Sequence, residues 1–223
     1  MNLTPVAPNI ETFPLQRPLL RQRARDAKLA RGRSSASLPY FICGDENRMV
    51  AYVCQSDLSF ATTQPILLIG PTGCGRTTVA LHLAAQIAAS MSLGGDPSAV
   101  KYVTASDFAR QYAEAVNADD LPPLRESIDR AAILVVDDLG GIAGKTAAQD
   151  ELSICLDKRI ESGKPVIVTS RRLPSQTRAI RPQLASRCVV GLTVPIRYPG
   201  SESRLTILSE LATLRGVEIN GEL

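Results

Sequence analysis

The chain has 223 residues, of which 44% are hydrophobic and 21% charged, and it contains 15 glycines and 15 prolines. This composition excludes disordered, collagen-like and disulfide-scaffold proteins, and the length favours one α/β domain with an appendage. The formal net charge of +3 conceals an uneven distribution along the chain.

The sequence contains neither a predicted membrane span nor a predicted secretion signal. Its longest apolar-rich stretch, residues 79–93, includes His82 and Gln86 and is shorter than the roughly 20 apolar residues that a membrane helix needs. Glu11 precedes the first basic residue, which is not the order of a secretory signal. We therefore expect a cytoplasmic protein with no membrane partner.

Residues 1–39 carry seven basic and two acidic residues, whereas residues 40–223 carry 18 basic and 20 acidic ones. We predict that residues 1–39 form a flexible arm with one short basic helix that ends near Gly32. The arm could make non-specific contacts with DNA phosphates, or it could be a solvated tail. Both interpretations stay open, because no aromatic residue interleaves the arginines as a stacking platform would require. The basic residues are Arg17, Arg21, Arg23, Arg25, Lys28, Arg31 and Arg33.

From residue 38 onward, short β-branched runs alternate with amphipathic stretches. Continuous apolar runs are typical of strands covered on both faces, and they lie at residues 65–70, 99–104, 131–138 and 165–170. A further strand is predicted at residues 189–192. Helices are predicted at residues 77–89, after an N-cap at Ser106, at 145–162 and at about 201–215. This alternation predicts an α/β fold with a parallel sheet and right-handed crossovers.

The segment GPTGCGRTT directly follows the first of these apolar runs and matches the phosphate-binding pattern GxxxxGK[ST], with Arg76 in place of lysine. Glycines let successive backbone amides point at phosphate oxygens, and the next helix adds its N-terminus. Thr77 offers a hydroxyl for Mg²⁺. A glycine-rich turn without a ligand is the weaker alternative. The nucleotide-binding candidates here are Gly70, Thr72, Gly73, Cys74, Gly75, Arg76, Thr77 and Thr78.

Arg76 is a non-conservative replacement, because a guanidinium is planar and larger than the compact ammonium of lysine. Positioning and electrostatics supply nearly all of phosphoryl-transfer catalysis. We therefore expect nucleotide binding with weak or absent hydrolysis. Cys74 could make binding sensitive to thiol modification, although a small, tolerated side chain is the favoured interpretation.

The run ILVVDD ends a predicted strand with two carboxylates, at the sheet edge where ligands of open α/β folds bind. Asp137 would hold Mg²⁺ through water, so Thr77 and Asp137 are the predicted metal ligands. Asp138 would orient or deprotonate an attacking water. A solvated acidic strand end is the alternative, and the glycine-rich loop earlier in the chain argues against it.

Arg187 could reach the γ-phosphate of a neighbouring subunit, and with Asp137 and Asp138 it completes the predicted catalytic set. Alone it would be a surface arginine. The segment before it is basic, and phosphate contacts and a solvated loop are both open there. Its arginines are Arg171, Arg172, Arg178 and Arg181.

The cysteines and the histidine exclude several chemistries. The five cysteines are scattered and form no CxxC pair, so we expect free buried thiols rather than zinc or redox sites. With one histidine, His82, a Ser/His/Asp triad or a histidine metal cluster is not expected.

Taken together, these motifs resemble the AAA+ ATPase domain of the DnaA family of bacterial chromosomal replication initiators, from about Tyr40 to Leu223. FICGDENRMVA is similar to the family's box ahead of the phosphate loop, which implies that Asn47 and Arg48 lie near the adenine. LASRC resembles the segment that bears the family's arginine finger, which implies that role for Arg187. The resemblance implies a three-layer P-loop fold that binds ATP or ADP with Mg²⁺.

Two residues depart from the family pattern in addition to Arg76. Arg171 replaces the sensor aspartate after the fourth strand, and Gln183 replaces the arginine four residues before the finger. The sequence stops before the positions of the family's helical lid and helix-turn-helix domain, so we expect no sequence-specific origin binding. What remains resembles shorter DnaA-related regulators and helicase loaders, which dock to other AAA+ proteins.

Three hypotheses follow for residues 40–223 as a DnaA-like nucleotide-binding domain. The leading one is an ATP-binding protein that acts in replication initiation or its regulation through nucleotide-dependent assembly with AAA+ partners or itself. The second is a degenerate interaction module that binds no nucleotide. The third is a non-specific DNA-binding ATPase that uses the arm between Arg17 and Arg33.

Overall fold

The computed structural model describes residues 10–18, 38–56 and 65–217. Its strands are β1 (Glu11–Pro14), β2 (Tyr40–Cys43), β3 (Ile66–Ile69), β4 (Val100–Thr104), β5 (Ile133–Asp137), β6 (Val166–Ser170) and β7 (Leu192–Pro195). Its α-helices are α1 (Arg48–Gln55), α2 (Arg76–Ser90), α3 (Ala105–Asn117), α4 (Pro122–Asp129), α5 (Thr146–Glu161), α6 (Pro182–Val189) and α7 (Ser201–Arg215). Short 3₁₀ helices lie at Asp45–Asn47, Leu139–Ile142 and Pro174–Gln176. None of the helices in these ranges is long and apolar enough to span a bilayer.

Five strands form one parallel sheet in the order β4-β5-β6-β3-β7. The register places Ile69 beside Ser170 and Pro195, and Thr104 beside Asp137. Strands β5 and β6 are buried on both faces, as expected where crossover helices cover a sheet. The carboxyl ends of β3, β5 and β6 therefore meet at one edge.

Side chains alternate between two core layers along these strands. On one face, Leu68 and Val135 pack with residues of α1 and α2, including Leu83. On the other face, Leu67 and Leu134 pack with residues of α3 to α6. This arrangement confirms the predicted three-layer α/β fold with a parallel sheet flanked by helices.

Residues 10–18 belong to the folded domain, which corrects the prediction of a flexible arm for this part of residues 1–39. Strand β1 pairs with β2 in an antiparallel hairpin, and Phe13 is 4% exposed in the core beside α2. The ring of Phe13 contacts Phe41 and His82. The predicted basic helix lies outside the described residues.

Two local predictions are wrong. The N-cap of α3 is Thr104, whose hydroxyl accepts a hydrogen bond from the Asp107 amide at 3.0 Å, while Ser106 lies inside the first turn. The strand predicted at residues 189–192 begins at Leu192 instead, because α6 continues through Val189 to bury Cys188 in the core. Apolar runs alone do not distinguish the end of a helix from the start of a strand.

Candidate functional site

The glycine-rich loop lies between β3 and α2, at the sheet edge where β3, β5 and β6 end. A side chain at Gly70 would overlap the carbonyl oxygen of Ile196 and lie 2.8 Å from the Cys74 sulfur. Gly75 has a φ of 95°, and a Cβ there would lie 2.9 Å from the Phe41 ring. Both positions therefore require glycine.

The loop presents polar groups at the N-terminus of α2, a helix of 15 residues. Thr72, Gly73 and Thr77 are exposed and Thr78 is half-buried, so a ligand has access to them. Helix N-termini favour anions, since their first amides lack intrahelical acceptors. These features place exposed polar groups at a helix N-terminus, where an anion could bind.

Cys74 points inward from the loop and is 5% exposed. Burial raises the pKa of its thiol, which lowers the reactive thiolate fraction at neutral pH. The structure thus supports the interpretation of a small packing residue. All five cysteines are free and buried, as predicted.

Arg76 does not point into the loop. One of its guanidinium nitrogens donates to the carbonyl oxygen of Gly70 and to that of Ser170, the second at 3.2 Å. These two carbonyl groups lie at the ends of β3 and β6. Arg76, a predicted nucleotide ligand, instead ties the base of the loop to the neighbouring strand.

Asp137 accepts hydrogen bonds from three hydroxyl groups, two on strands and one on a helix. The Thr77 hydroxyl lies 2.9 and 3.1 Å from its two carboxylate oxygens. The Tyr102 hydroxyl donates to it at 2.7 Å and the Thr169 hydroxyl at 2.6 Å. Burial, followed by the bond to Asp137, raises the pKa of Tyr102. Asp137 itself is 8% exposed, and its charge is stabilised by these donors.

A hydroxyl and a carboxylate at this spacing fit the oxygen ligands that Mg²⁺ prefers. Within the described ranges, no group of three or more His, Cys, Asp or Glu residues could hold a metal ion. A cation held by Thr77 and Asp137 would therefore take its other ligands from water or phosphate, as Mg²⁺ commonly does in phosphate sites.

Asp138 follows β5 in a left-handed backbone conformation, with a φ of 49°. Its amide donates to the Thr169 hydroxyl at 2.9 Å. Its Oδ2 lies 3.4 Å from an Arg171 guanidinium nitrogen, and its buried Oδ1 has no hydrogen-bond partner among the described residues. Thr169 thus links the carboxylate of Asp137 to the backbone amide of Asp138.

Asn47 and Arg48 were expected near the adenine, but their side chains have other partners. Asn47 is 2% exposed, its amide nitrogen donates to the Arg197 carbonyl at 3.1 Å, and its oxygen accepts the Arg197 amide at 2.8 Å. Arg48 is exposed and pairs with Asp45 at 2.5 Å. The Asn47 side chain therefore joins two chain segments, and its proximity to an adenine stays a prediction.

Arg187 lies on the other face of the sheet from α2, in α6. Its Nε donates to Asp157 at 2.5 Å and its Nη1 to the Gln183 carbonyl at 3.0 Å. Within one chain it is thus held against α5 and is not brought to the loop. A role at a neighbouring subunit's phosphate would require the ion pair with Asp157 to open.

Two site residues have no signal in the sequence, Tyr102 and Thr169. Thr104 and Ser170 are equally polar strand-end residues, so composition does not single out Thr169. Knowledge of the strand order would identify Thr169, because its strand β6 lies between β3 and β5. The sole histidine is structural, since its Nδ1 accepts the Gln16 amide at 3.0 Å.

A family model described as the bacterial DnaA ATPase domain matches residues 35–195. The chromosomal replication initiator protein DnaA of Acinetobacter baylyi is 29% identical over 182 residues, which cover 80% of this chain and 38% of that protein. The chain therefore spans about two fifths of the length of this curated relative.

Solved structures share the fold. Domain III of the Thermotoga maritima replication initiation protein DnaA matches with a TM-score of 0.72 and 23% identity, covering 81% of this chain and 75% of that one. AMPPCP-bound DnaA from Aquifex aeolicus matches with a TM-score of 0.70 and 24% identity, covering 81% and 56%.

Proposed function

Since the chain belongs to the family of bacterial DnaA ATPase domains, we propose that it binds ATP and ADP with Mg²⁺ at the loop between β3 and α2. One observation carries this proposal: the Thr77 hydroxyl meets the Asp137 carboxylate at 2.9 Å, where loop, helix and sheet edge converge. That pairing of hydroxyl and carboxylate beside a phosphate loop suits a nucleotide and its cation. The Aquifex aeolicus structure holds AMPPCP on the same fold.

Different residues of the site would bind the phosphates, the cation and the attacking water. Amides of the loop from Gly70 to Gly75 and the N-terminus of α2 would take the phosphate oxygens. Thr77 and Asp137 would hold Mg²⁺, which neutralises phosphate charge when bound. Asp138 would orient the attacking water and accept its proton.

We expect weak hydrolysis, because the guanidinium of Arg76 is held on backbone carbonyls at the base of the loop. The positive charge is therefore displaced from the loop's interior. When no preorganised donor stabilises the charge that develops in the transition state, the rate falls by orders of magnitude. Binding depends less on this single charge, since loop amides and the helix N-terminus remain.

The proposed biological role is initiation of chromosomal replication or its control, by nucleotide-dependent assembly with AAA+ proteins or with a second copy. Family membership supports this role, and so do the apolar side chains of Leu205 and Leu208, which lie one turn apart on α7 and are about half exposed. Such surfaces are available for protein contacts. The cytoplasm is the proposed location.

Calorimetric titration of ATP and of ADP, each with and without Mg²⁺, tests the nucleotide site. Thr77→Ala should weaken Mg²⁺-dependent binding about ten- to hundredfold, the effect of one hydrogen bond to a charged group. Thr213→Ala is the matched control, because Thr213 is an exposed threonine in the last turn of α7 and should bind as the native chain does. Absence of binding by the native chain at millimolar nucleotide would exclude the proposal.

A second candidate function is an interaction module that binds no nucleotide. The observation that favours it is Arg76, whose guanidinium donates to the carbonyl of Gly70 in the loop and to that of Ser170 at the end of β6. The variant Arg76→Lys separates the two functions. A gain of tight binding or turnover indicates a tuned nucleotide site, whereas no binding by either protein indicates the interaction module.

A further inference from the structure

Arg171 emerges at the centre of the proposed site because of the strand order. Strand β6 lies beside β3, and Ser170 is the neighbour of Ile69. The Gly70 amide donates to the Ser170 carbonyl at 3.1 Å. Arg171, the next residue, therefore stands next to the first residue of the phosphate loop.

The guanidinium of Arg171 is directed at the second carboxylate of the acidic pair. Its Nη2 lies 3.4 Å from Oδ2 of Asp138. The other charged groups nearby are occupied elsewhere, since Asp137 accepts three hydroxyl groups and Arg76 donates to two carbonyls. Asp138 carries the carboxylate at this edge whose Oδ1 has no partner in the described ranges.

The backbone conformation of Asp138 also favours this contact with Arg171. Its left-handed conformation is uncommon for a residue other than glycine. The hydrogen bond that the Asp138 amide donates to the Thr169 hydroxyl holds that conformation in place. The carboxylate thus leaves the strand end toward β6 and meets the arginine that follows it.

We propose that Arg171 restrains ATP hydrolysis by pairing with Asp138 and so competing with the attacking water for the carboxylate. The inference rests on the proposed nucleotide site. In the reaction it restrains, the water oxygen forms a bond to the γ-phosphorus, and the bond from that phosphorus to the β,γ-bridging oxygen breaks. The bond's electron pair leaves with ADP, and a water proton passes to Asp138 and then to solvent. A carboxylate oxygen that already accepts from a guanidinium is not free to accept a hydrogen bond from the attacking water.

The restraint is modest in size because the pair is exposed to solvent. The Arg171 side chain is 62% exposed and the Asp138 side chain 39%. Exposed ion pairs are weak and are screened by salt. Removing the pair should therefore raise the hydrolysis rate about two- to fivefold.

Single-turnover hydrolysis at saturating ATP and Mg²⁺ tests this restraint, with ATP affinity measured in parallel. Arg171→Ala should raise the rate constant about two- to fivefold with unchanged ATP affinity. Arg172→Ala is the matched control: it removes the same charge one residue later, from an exposed side chain that forms no ion pair within the described part of the chain, and should leave the rate unchanged. The double variant Arg171→Ala/Asp138→Asn should hydrolyse ATP no faster than Asp138→Asn alone.

Salt provides a readout that a purely structural role would not move. Raising the ionic strength from about 0.05 M to about 0.5 M should bring the native rate toward that of Arg171→Ala, whose own rate should change less. An unchanged or lower rate in Arg171→Ala, an equal gain in Arg172→Ala, or a gain that survives Asp138→Asn would overturn the inference. A rate that falls together with ATP affinity would make Arg171 a phosphate ligand instead.

The outcomes separate this inference from the proposed function. If the native chain binds ATP and Arg171→Ala gains no rate, the nucleotide site stands and the restraint is refuted. If the native chain binds no ATP, both are refuted.

Discussion

Replacing Thr169 by valine would show how far the acidic pair depends on one hydroxyl group. Valine has nearly the shape of threonine, so the substitution removes the hydroxyl without opening a cavity. The hydroxyl donates to Asp137 at 2.6 Å and accepts the Asp138 amide at 2.9 Å. Thr169 is fully buried, so water cannot replace either bond.

The magnitude follows from these two bonds. Loss of a donor to a buried carboxylate costs about 1.5–3 kcal/mol, and an unsatisfied buried amide costs about 1–3 kcal/mol. Since the two effects share one group and are not independent, we expect a loss of about 3 kcal/mol in the free energy of unfolding. For a domain of this size, that is a fall of about 6–12 °C in Tm.

Urea unfolding and thermal scans measure this loss, and ATP calorimetry measures its effect on the site. Thr193→Val is the matched control, because Thr193 is a half-buried strand threonine in β7 whose hydroxyl makes no hydrogen bond among the described residues. It should cost less than about 0.5 kcal/mol. Equal stability of the native chain and Thr169→Val would refute the assignment of the hydroxyl as the link between Asp137 and Asp138.

Three further substitutions test other parts of the structure. Asn47→Ala should lower the unfolding free energy by about 2 kcal/mol, because the two hydrogen bonds to the Arg197 backbone are lost. Arg48→Ala should change it by less than about 0.5 kcal/mol, and equal effects in urea unfolding would contradict the role of Asn47. Burial lowers the pKa of His82 below its ordinary value of 6.5, so the unfolded chain protonates first as the pH falls. The stability this group contributes is therefore complete above about pH 6.5 and declines below it, and His82→Gln should flatten the pH dependence of unfolding between about pH 5 and 7.5. Arg159 is 1% exposed and donates to four carbonyl oxygens, so Arg159→Met should cost about 3 kcal/mol or more, against no measurable loss for the exposed Arg178→Ala; near-native stability of Arg159→Met would contradict that role.

Local patterns in the sequence were sufficient for the fold class and for the position of the loop. Strands covered on both faces are mostly apolar, and the runs ending at residues 70, 138 and 170 meet that requirement. The run ending at residue 104 contains Lys101 and forms the edge strand β4. The loop glycines precede a helix directly, so their role depends on neighbours in the chain. For the same reason, Gly70, Thr77 and Asp137 could be placed at one sheet edge from alternation alone.

The tertiary structure decided which side chains meet at that edge. Thr169 lies 32 residues from Asp137 and Tyr102 lies 35 away, and their contacts depend on the order β4-β5-β6-β3 and on its register. The bond of Asn47 to Arg197 spans 150 residues. Several orders and registers are compatible with the same apolar runs, and each would give other partners.

Arg76 and Arg171 show the same division between sequence and structure. The sequence identifies Arg76 as a departure within the glycine-rich loop and Arg171 as a departure after the fourth strand. Their partners, the carbonyls of Gly70 and Ser170 and the carboxylate of Asp138, are defined by the pairing of β3 with β6. A long side chain has several acceptors within reach, and the packed strand ends select among them. The residue types at this site are therefore determined by the sequence alone, whereas their contacts are determined by how the strands pack.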